Sequence, residues 1–368
     1  MSNSKFVENL KRYDYSFFIL AIILFTMGAI NLFSATHSTP YISNLYKTQI
    51  FYFFISLIIG IVVSFIQPKT FLRFSYLIYG VNIFLLVVVL FLGDKGMGAR
   101  RWLSLGPFRI QPSEIMKISV ILILGRYFSK KVTGDEIGLK ELIIPFILTF
   151  IPALLIIIEP DLGTGLMIFL IFFFISFYCK LKWRSIFIIG IIGLISGLGM
   201  YKFGLKEYQR KRILTFLDPS ADKKGSGYNA IQSKIAIGSG KLFGKGFKKS
   251  SQASLNYLPE NHTDFVFSIF NEEHGFFGSL LLITIYVILL FRFIYLATSV
   301  TKLFNSIVVL GLMSIFFWHT FINMGMVTGL LPIVGLPLPY MSYGGSSLLT
   351  FSICCGIATS ISNSKNIF

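Results

Sequence analysis

Ten separate runs of this chain are long and apolar enough to cross a bilayer, and nothing else in the sequence restricts the fold as much. They lie near 16–34, 49–66, 74–92, 112–128, 142–159, 164–179, 185–201, 267–291, 303–327 and 345–362. A helical crossing takes roughly 17–25 residues. Hydrocarbon offers the backbone no partners, so each run must close its hydrogen bonds within itself or within a barrel. Continuous apolarity without alternation selects helices. The expected fold is an all-α polytopic membrane protein with ten transmembrane helices, read as one membrane domain over residues 1–368. Spans five and six are joined only by Glu159-Pro-Asp-Leu-Gly163, which makes them a tight hairpin. Spans seven and eight are separated by a long segment, 202–263. With 54% hydrophobic residues, 40 of them Phe, the chain is too apolar for a soluble protein.

Charge sets the orientation. The first twelve residues end in Lys11-Arg12, and the apolar run behind them has no small-residue cleavage pattern, so it reads as a retained anchor. Both termini and the even-numbered loops fall on one side, with 15 Lys/Arg, and the positive-inside rule makes that side cytoplasmic. The other side carries 18, but 12 of these lie in 202–263 and four in 94–111, and long loops count little for topology. Cations kept outside against the usual bias point to an anionic ligand. Nucleic acid is not indicated. Cys179, Cys354 and Cys355 offer no metal spacing and read as small buried hydrophobes. Within 202–263, Asp218-Pro219, Gly225-Ser-Gly227 and Gly238-Ser-Gly240 mark turns around a short surface helix over Ile231–Ile237. A folded lid is expected there.

Chemistry is concentrated at a few places. Leu258-Pro-Glu-Asn-His-Thr-Asp-Phe-Val-Phe267 carries Glu260, His262 and Asp264 at the mouth of span eight. Asp264 there is either a helix cap or a functional carboxylate. Before span four stand Arg100, Arg101, Trp102 and Arg109; Gln111 then caps Pro112 at the first helical position. Glu114 in the first turn suits the helix dipole, and Lys117 follows one turn on, a pair that is costly in a membrane without a wet cavity or partner. Trp102 is an interface anchor or a surface for a sugar. Asp161 caps span six or serves the site. Arg210 and Arg212 abut a membrane entry. Gly238-Ser-Gly-Lys-Leu-Phe-Gly-Lys-Gly246 is not a P-loop, because the spacing is one residue short and no Ser or Thr follows the Lys. Asn261-His-Thr263 matches a glycosylation sequon. Gly344-Gly-Ser-Ser347 opens the last span, where Ser346 and Ser347 either meet phosphate or allow close helix packing.

In order and spacing these stretches resemble the SEDS family of shape, elongation, division and sporulation proteins. The pieces that carry the resemblance are Arg101-Trp102 with Gln111-Pro-Ser-Glu114 and Lys117, Glu159-Pro-Asp161, Gly227-Tyr-Asn-Ala-Ile-Gln-Ser233, Leu258-Pro-Glu-Asn-His-Thr-Asp264, Asn271-Glu-Glu273 with Gly275, and Leu338-Pro-Tyr-Met-Ser-Tyr-Gly-Gly-Ser-Ser347. Ile237–Gly246 and Leu330-Leu-Pro332 look RodA-like, the elongation branch, more than FtsW-like, the division branch. Ser250-Ser251-Gln252, in place of Gly-Thr-Gln, and Asn271, in place of Ala or Gly, depart from that pattern.

The resemblance implies a peptidoglycan glycosyltransferase that polymerises lipid II outside the cytoplasmic membrane, beside a class B penicillin-binding protein. It implies Asp264 as catalytic residue. The chemistry is consistent: an α-linked donor giving a β-1,4 product is an inversion, which needs one base on the nucleophile side. Leaving pyrophosphate needs cations, for which Arg101, Arg109, Lys117, Arg210 and Arg212 are candidates, expected to line one cavity. Glu114 would hold Lys117 or help position the acceptor; Trp102, Gln111, Asp161, Gln232, His262, Ser346 and Ser347 complete the expected site. No acidic cluster demands a metal, although the pyrophosphate could recruit Mg²⁺ or Mn²⁺. The alternative is a lipid-linked-sugar transporter, which needs the anion site but no base.

Overall fold

The computed structural model describes residues 13–37, 44–96, 99–105, 108–131, 136–199, 207–222 and 225–364. In chain order it has α1 (Ser16–Thr36), α2 (Leu45–Ser64), α3 (Pro68–Leu92), β1 (Asp94–Gly96), β2 (Ala99–Leu105), β3 (Phe108–Ile110), α4 (Pro112–Lys131), α5 (Leu139–Ile158), α6 (Leu162–Tyr178) and α7 (Trp183–Gly199). Then come α8 (Glu207–Leu217), α9 (Ser226–Ser239), α10 (Ser251–Ser254), α11 (Val266–Ser299), α12 (Leu303–Thr328) and α13 (Gly345–Asn363). Among the described residues, seven helices are long and apolar enough to cross a membrane: α1, α2, α3, α5, α11, α12 and α13. The remaining apolar runs also form helices, but α6 and α7 have 17 residues each, and α4 carries Glu114, Lys117, Arg126, Lys130 and Lys131. The chain is a multi-pass helical membrane protein. Its outward faces agree, since Phe84, Phe91, Leu92 and Phe177 are all more than half exposed, as lipid contact requires.

Helix ends follow local chemistry. α3 opens on Pro68, with Gln67 extended before it, because a proline at the first position loses no helical hydrogen bond. α4 opens on Pro112 with Glu114 in its first turn and closes with Lys130 and Lys131 in its last, both matched to the helix dipole. α12 stops at Gly329, whose left-handed φ of 79° turns the chain out of the helix.

The buried centre is made by α4, α12 and α13. Phe316 of α12 stacks among Phe293 of α11, Phe351 of α13 and Tyr340. α2 and α13 approach closely through small residues: a Cβ on Gly60 would meet the Ser352 carbonyl at 2.6 Å, and one on Gly356 would meet the Gly60 carbonyl at 2.3 Å. Without a hydrophobic driving force between helices in lipid, such contact supplies dispersion energy.

Two features depart from an all-α expectation or refine it. Asp94–Gly96, Ala99–Leu105 and Phe108–Ile110 form a small antiparallel sheet, order β1-β2-β3, with Asp94 opposite Trp102 and Ser104 opposite Arg109. The segment is too polar to enter lipid and too short for a helix, so its backbone groups pair across a hairpin. The long segment is folded over its described residues, and the expected helix at Ile231–Ile237 is the middle of α9.

The glycine-rich turn after α9 locks a break in α11. Gly275 has φ 66° within that helix. Lys245 N–H and Gly246 N–H donate to the Glu272 and Glu273 carbonyls, while Phe276 and Phe277 N–H donate to Lys241 and Leu242. A Cβ on Gly275 would lie 2.3 Å from the Gly244 nitrogen, whereas nothing lies within 4 Å of one on Gly238. Gly275→Ala is therefore expected to destabilise the protein by about 1–3 kcal/mol, read as a lowered thermal midpoint in detergent, while Gly238→Ala stays near wild type. Equal midpoints for Gly275→Ala and wild type would show that the turn does not set the break.

Candidate active site

The Leu258–Phe265 stretch folds as consecutive turns. Thr263 N–H and Phe265 N–H both donate to the Glu260 carbonyl, and the Thr263 hydroxyl donates to Glu260 Oε2 at 2.8 Å. α11 then begins at Val266, with Phe265 in the cap position and no side-chain cap. The capping role open to Asp264 is thus excluded. No hydrogen bond or ion pair engages its carboxylate among the described residues. Beneath it lies Gly335, φ 80°, where a Cβ would come 3.3 Å from Asp264 Oδ2. Burial raises the Asp264 pKa, the Glu260 charge adds to it and Arg212 opposes it, leaving a value of about 6. His262 is half-buried, its ring 6.0 Å from Tyr343; burial lowers its pKa against the pull of Glu260.

A strap of chain, 335–344, closes the site from the other side. Ser342 Oγ donates to the Thr263 carbonyl at 2.6 Å and accepts from Leu338 N–H at 2.9 Å. Tyr343 N–H donates to the His262 carbonyl at 2.9 Å. Gln49 of α2 holds the far end, donating to the Ser342 carbonyl and accepting from Gly344 N–H. α12 holds the near end: Asn323 Nδ2 donates to the carbonyls of both Asp264, at 3.1 Å, and Leu336, at 2.8 Å.

One turn back from Asn323 is His319, fully buried. Its Nδ1 lies 2.9 Å from the Pro337 carbonyl and its Nε2 lies 2.7 Å from Lys117 Nζ. A carbonyl only accepts, so Nδ1 carries the proton and Nε2 receives one from the ammonium. Lys117 also pairs with Glu114 at 2.9 Å. Both are buried, and Lys117 has no exposed surface. The pair thus has the partners that an intramembrane charge requires.

A second cluster joins β3, the α5–α6 turn and α13. Asp161 accepts from Thr164 N–H at 3.2 Å and from the Thr164 hydroxyl at 2.9 Å, which makes it the cap of α6. The same carboxylate accepts from Gln111 Nε2 at 3.1 Å. Gln111 N–H donates to Ser346 Oγ, which donates to the Arg109 carbonyl. Arg101 donates to the carbonyls of Glu159 and Pro160. The Glu159 carboxyl is buried, with neither oxygen hydrogen-bonded. Burial raises its pKa, Asp161 adds to the rise and Arg101 opposes it, leaving about 8.

The sequence profile described as "Cell cycle protein", of FtsW, RodA and SpoVE, matches residues 14–367. The chain belongs to that family. It is 41% identical over 305 residues to the peptidoglycan glycosyltransferase MrdB of Escherichia coli K12, covering 83% of this chain and 82% of that protein. It is 34% identical over 359 residues to the stage V sporulation protein E of Bacillus subtilis, covering 95% and 96%. Among solved structures, the fold is similar to a chain of a peptidoglycan synthase complex that coordinates polymerization and crosslinking, with a TM-score of 0.82, 29% identity and coverage of 96% and 98%. The rod shape determining protein RodA of Thermus thermophilus matches with a TM-score of 0.71, 27% identity and the same coverage.

In this FtsW/RodA/SpoVE member the expected cations differ in their surroundings. Arg109 and Arg212 are exposed and Arg210 is half-buried, Arg101 is occupied by backbone carbonyls, and Lys117 is enclosed. Arg212 lies beside the strap's approach, 3.4 Å from the Ile333 carbonyl. Trp102 is half-buried on β2 and Gln232 is half-buried on α9. Ser347 donates to the Gly344 carbonyl, and a Cβ on Gly345 would meet the Tyr52 ring at 3.0 Å. The start of α13 thus serves close packing, and the hydroxyls of Ser346 and Ser347 are taken by protein groups. Sequence reasoning did not single out His319, Asn323 or Gln49, and it gave Glu159 a place in the Glu159-Pro-Asp161 motif but no role of its own. The signal was available for two of them: His319 and Asn323 are polar groups one turn apart in an apolar run, a spacing that puts them on one face.

Glu159 gives a stability test. Its folded pKa, about 8, lies above the ordinary 4.5. Its favourable contribution is complete below pH 4.5 and is lost as pH rises toward 8. Glu159→Gln keeps the shape without the charge. It is expected to be more stable than wild type at pH 8 and to show a shallower fall in thermal midpoint between pH 5 and 8. Parallel curves for the two proteins would refute a buried neutral acid.

Proposed function

We propose that this chain is a peptidoglycan glycosyltransferase that polymerises lipid II into β-1,4 glycan strands for cell elongation. The single observation that carries this reading is the Asp264 carboxylate: shaped into a site by the strap, backed by Gly335 and bonded to no other described side chain. The names of the relatives support it, as does the likeness to a chain of a peptidoglycan synthase complex. That likeness also supports a class B penicillin-binding protein as partner. A transporter needs no such free base, and no feature of the site favours one.

In this reading the acceptor GlcNAc 4-hydroxyl gives its proton to Asp264 as its oxygen attacks the donor MurNAc C1. The bond from C1 to the pyrophosphate breaks, and inversion follows from the single displacement. Charge develops on the departing pyrophosphate, and Arg109, Arg210 and Arg212 are the cations accessible to it. His262 and Trp102 flank the sugar path. Gln111, Asp161, Arg101, Gln232, Ser346 and Ser347 shape the walls, while Glu114 and Lys117 act from behind them. Among the described residues no group of three His, Cys, Asp or Glu side chains is placed to hold a metal. A divalent cation, Mg²⁺ or Mn²⁺, would arrive with the pyrophosphate.

The reading places the chain in the bacterial cytoplasmic membrane as one domain crossing ten times, both termini inside and the 202–263 segment outside. Gly240 is buried against the Asn271 carbonyl, so the outer cysteine is better placed at the exposed Phe243 of the same turn; it should label from the outer face, and one at position 135, outside the described residues, from the inner face. Labelling of both from one side would refute this topology.

Asp264→Asn keeps the shape of the side chain and removes its basicity. Purified with lipid II, it should lose about 10²–10⁴-fold in turnover while retaining substrate binding and its thermal midpoint. Because the base must be ionised, wild-type turnover should rise with pH through about 6. Arg212→Ala removes an opposing charge and should move that midpoint upward. Near wild-type polymerisation by Asp264→Asn would exclude it as the base. Movement of labelled lipid II across vesicles without polymer would instead make the chain a transporter.

A further inference from the structure

We propose that His319 is a positioning residue for polymerisation, joining the buried Glu114–Lys117 pair to the strap that backs Asp264. The inference rests on the glycosyltransferase reading above.

The imidazole is bonded on both sides. Nδ1–H is fixed on the Pro337 carbonyl at 2.9 Å, which leaves the Nε2 lone pair for Lys117 at 2.7 Å. Its plane stands edge-on to Phe351, with centroids 5.2 Å apart at 86°, so packing restricts its rotation. Lys117 is held in turn by Glu114 at 2.9 Å. One line of hydrogen bonds therefore runs from α4 through α12 to the strap.

The strap end of that line lies against the proposed base. Pro337 is two residues from Gly335, the position that faces Asp264 Oδ2. The intervening Leu336 carbonyl shares Asn323 Nδ2 with the Asp264 carbonyl. His319 and Asn323, one turn apart on α12, thus grip the strap at consecutive residues. Asn323 fixes the backbone of Asp264, and His319 fixes the strap that faces its carboxylate. A displacement of about 1 Å at the reacting groups is enough to cost about 100-fold in rate, so a residue that never meets substrate can govern turnover from here.

The function needs an acceptor toward Lys117 and a donor toward Pro337. Glutamine supplies both, through its amide oxygen and nitrogen. Leucine and phenylalanine supply neither and keep the site apolar and filled.

The experiment measures polymerisation of lipid II by purified wild type, His319→Gln, His319→Leu and His319→Phe, each with its thermal midpoint. His319→Leu or His319→Phe should lower kcat by at least about tenfold with KM within about twofold of wild type. His319→Gln should stay within about threefold of wild type in both constants. In a Lys117→Met background, His319→Leu should add little further loss, because both changes cut the same line. Wild-type kcat in His319→Leu and His319→Phe would overturn the inference. So would losses in KM alone, or a kcat for His319→Gln as low as for His319→Leu. If leucine and phenylalanine variants both fail to fold while the glutamine variant folds, the imidazole is a structural post and the positioning role is refuted. Failure of the underlying reading looks different: wild type itself would make no polymer, or Asp264→Asn would make as much as wild type.

Discussion

One amide nitrogen carries much of this site. Asn323 Nδ2 is shared between the carbonyls of Asp264 and Leu336, so one side chain of α12 grips both the loop that bears the carboxylate and the strap that faces it. The bond is made in a fully buried position on α12, where water cannot compete for the amide and the two carbonyls would otherwise go unmatched. Remove that fork and the two segments are still joined through Ser342 and Tyr343, but on the strap these lie well beyond Gly335. The depth and direction of the Asp264 carboxylate depend on the inner grip.

The molecule deals with ionisable groups in an apolar setting in three ways. Glu114 and Lys117 are enclosed and neutralise one another, with His319 accepting a further proton contact. Glu272, where the glycine-rich turn crosses α11, accepts from Lys245, Ser250 and Ser251, so the serines that depart from the elongation pattern have a structural use. Glu159 has neither a cation nor a donor on its carboxyl oxygens and is driven toward its neutral form. Asp264 belongs to none of these groups. It is partly desolvated, unmatched and beside an opposing charge, a condition that costs stability and is retained where a free base has a use.

The departures from the sequence reading share a cause. Single cations were grouped by their side of the membrane, yet Arg101 turned to the backbone of the α5–α6 turn and Lys117 into the helix core. Sidedness follows from spacing along the chain, whereas direction follows from which helices pack together. The same applies to Asp264: a carboxylate two residues before a helix suits a cap in sequence, but the turns closed on Glu260 shift the cap position to Phe265 and free it.

What the sequence determined by itself is everything that depends on short stretches. Apolar runs of sufficient length had to become helices, because lipid offers the backbone nothing else. Pro112 and Gly329 had to mark a start and a stop, and the motif around Asp264 had to lie where polar chain meets membrane helix. Tertiary structure alone decided which distant residues meet. His319 comes to Lys117 across 202 positions, Gln49 to Ser342 across 293 and Asn323 to Asp264 across 59. No local propensity encodes such pairings. They exist because α4, α12 and α13 bury one another's polar groups, and a buried polar group must take the partner that packing brings to it.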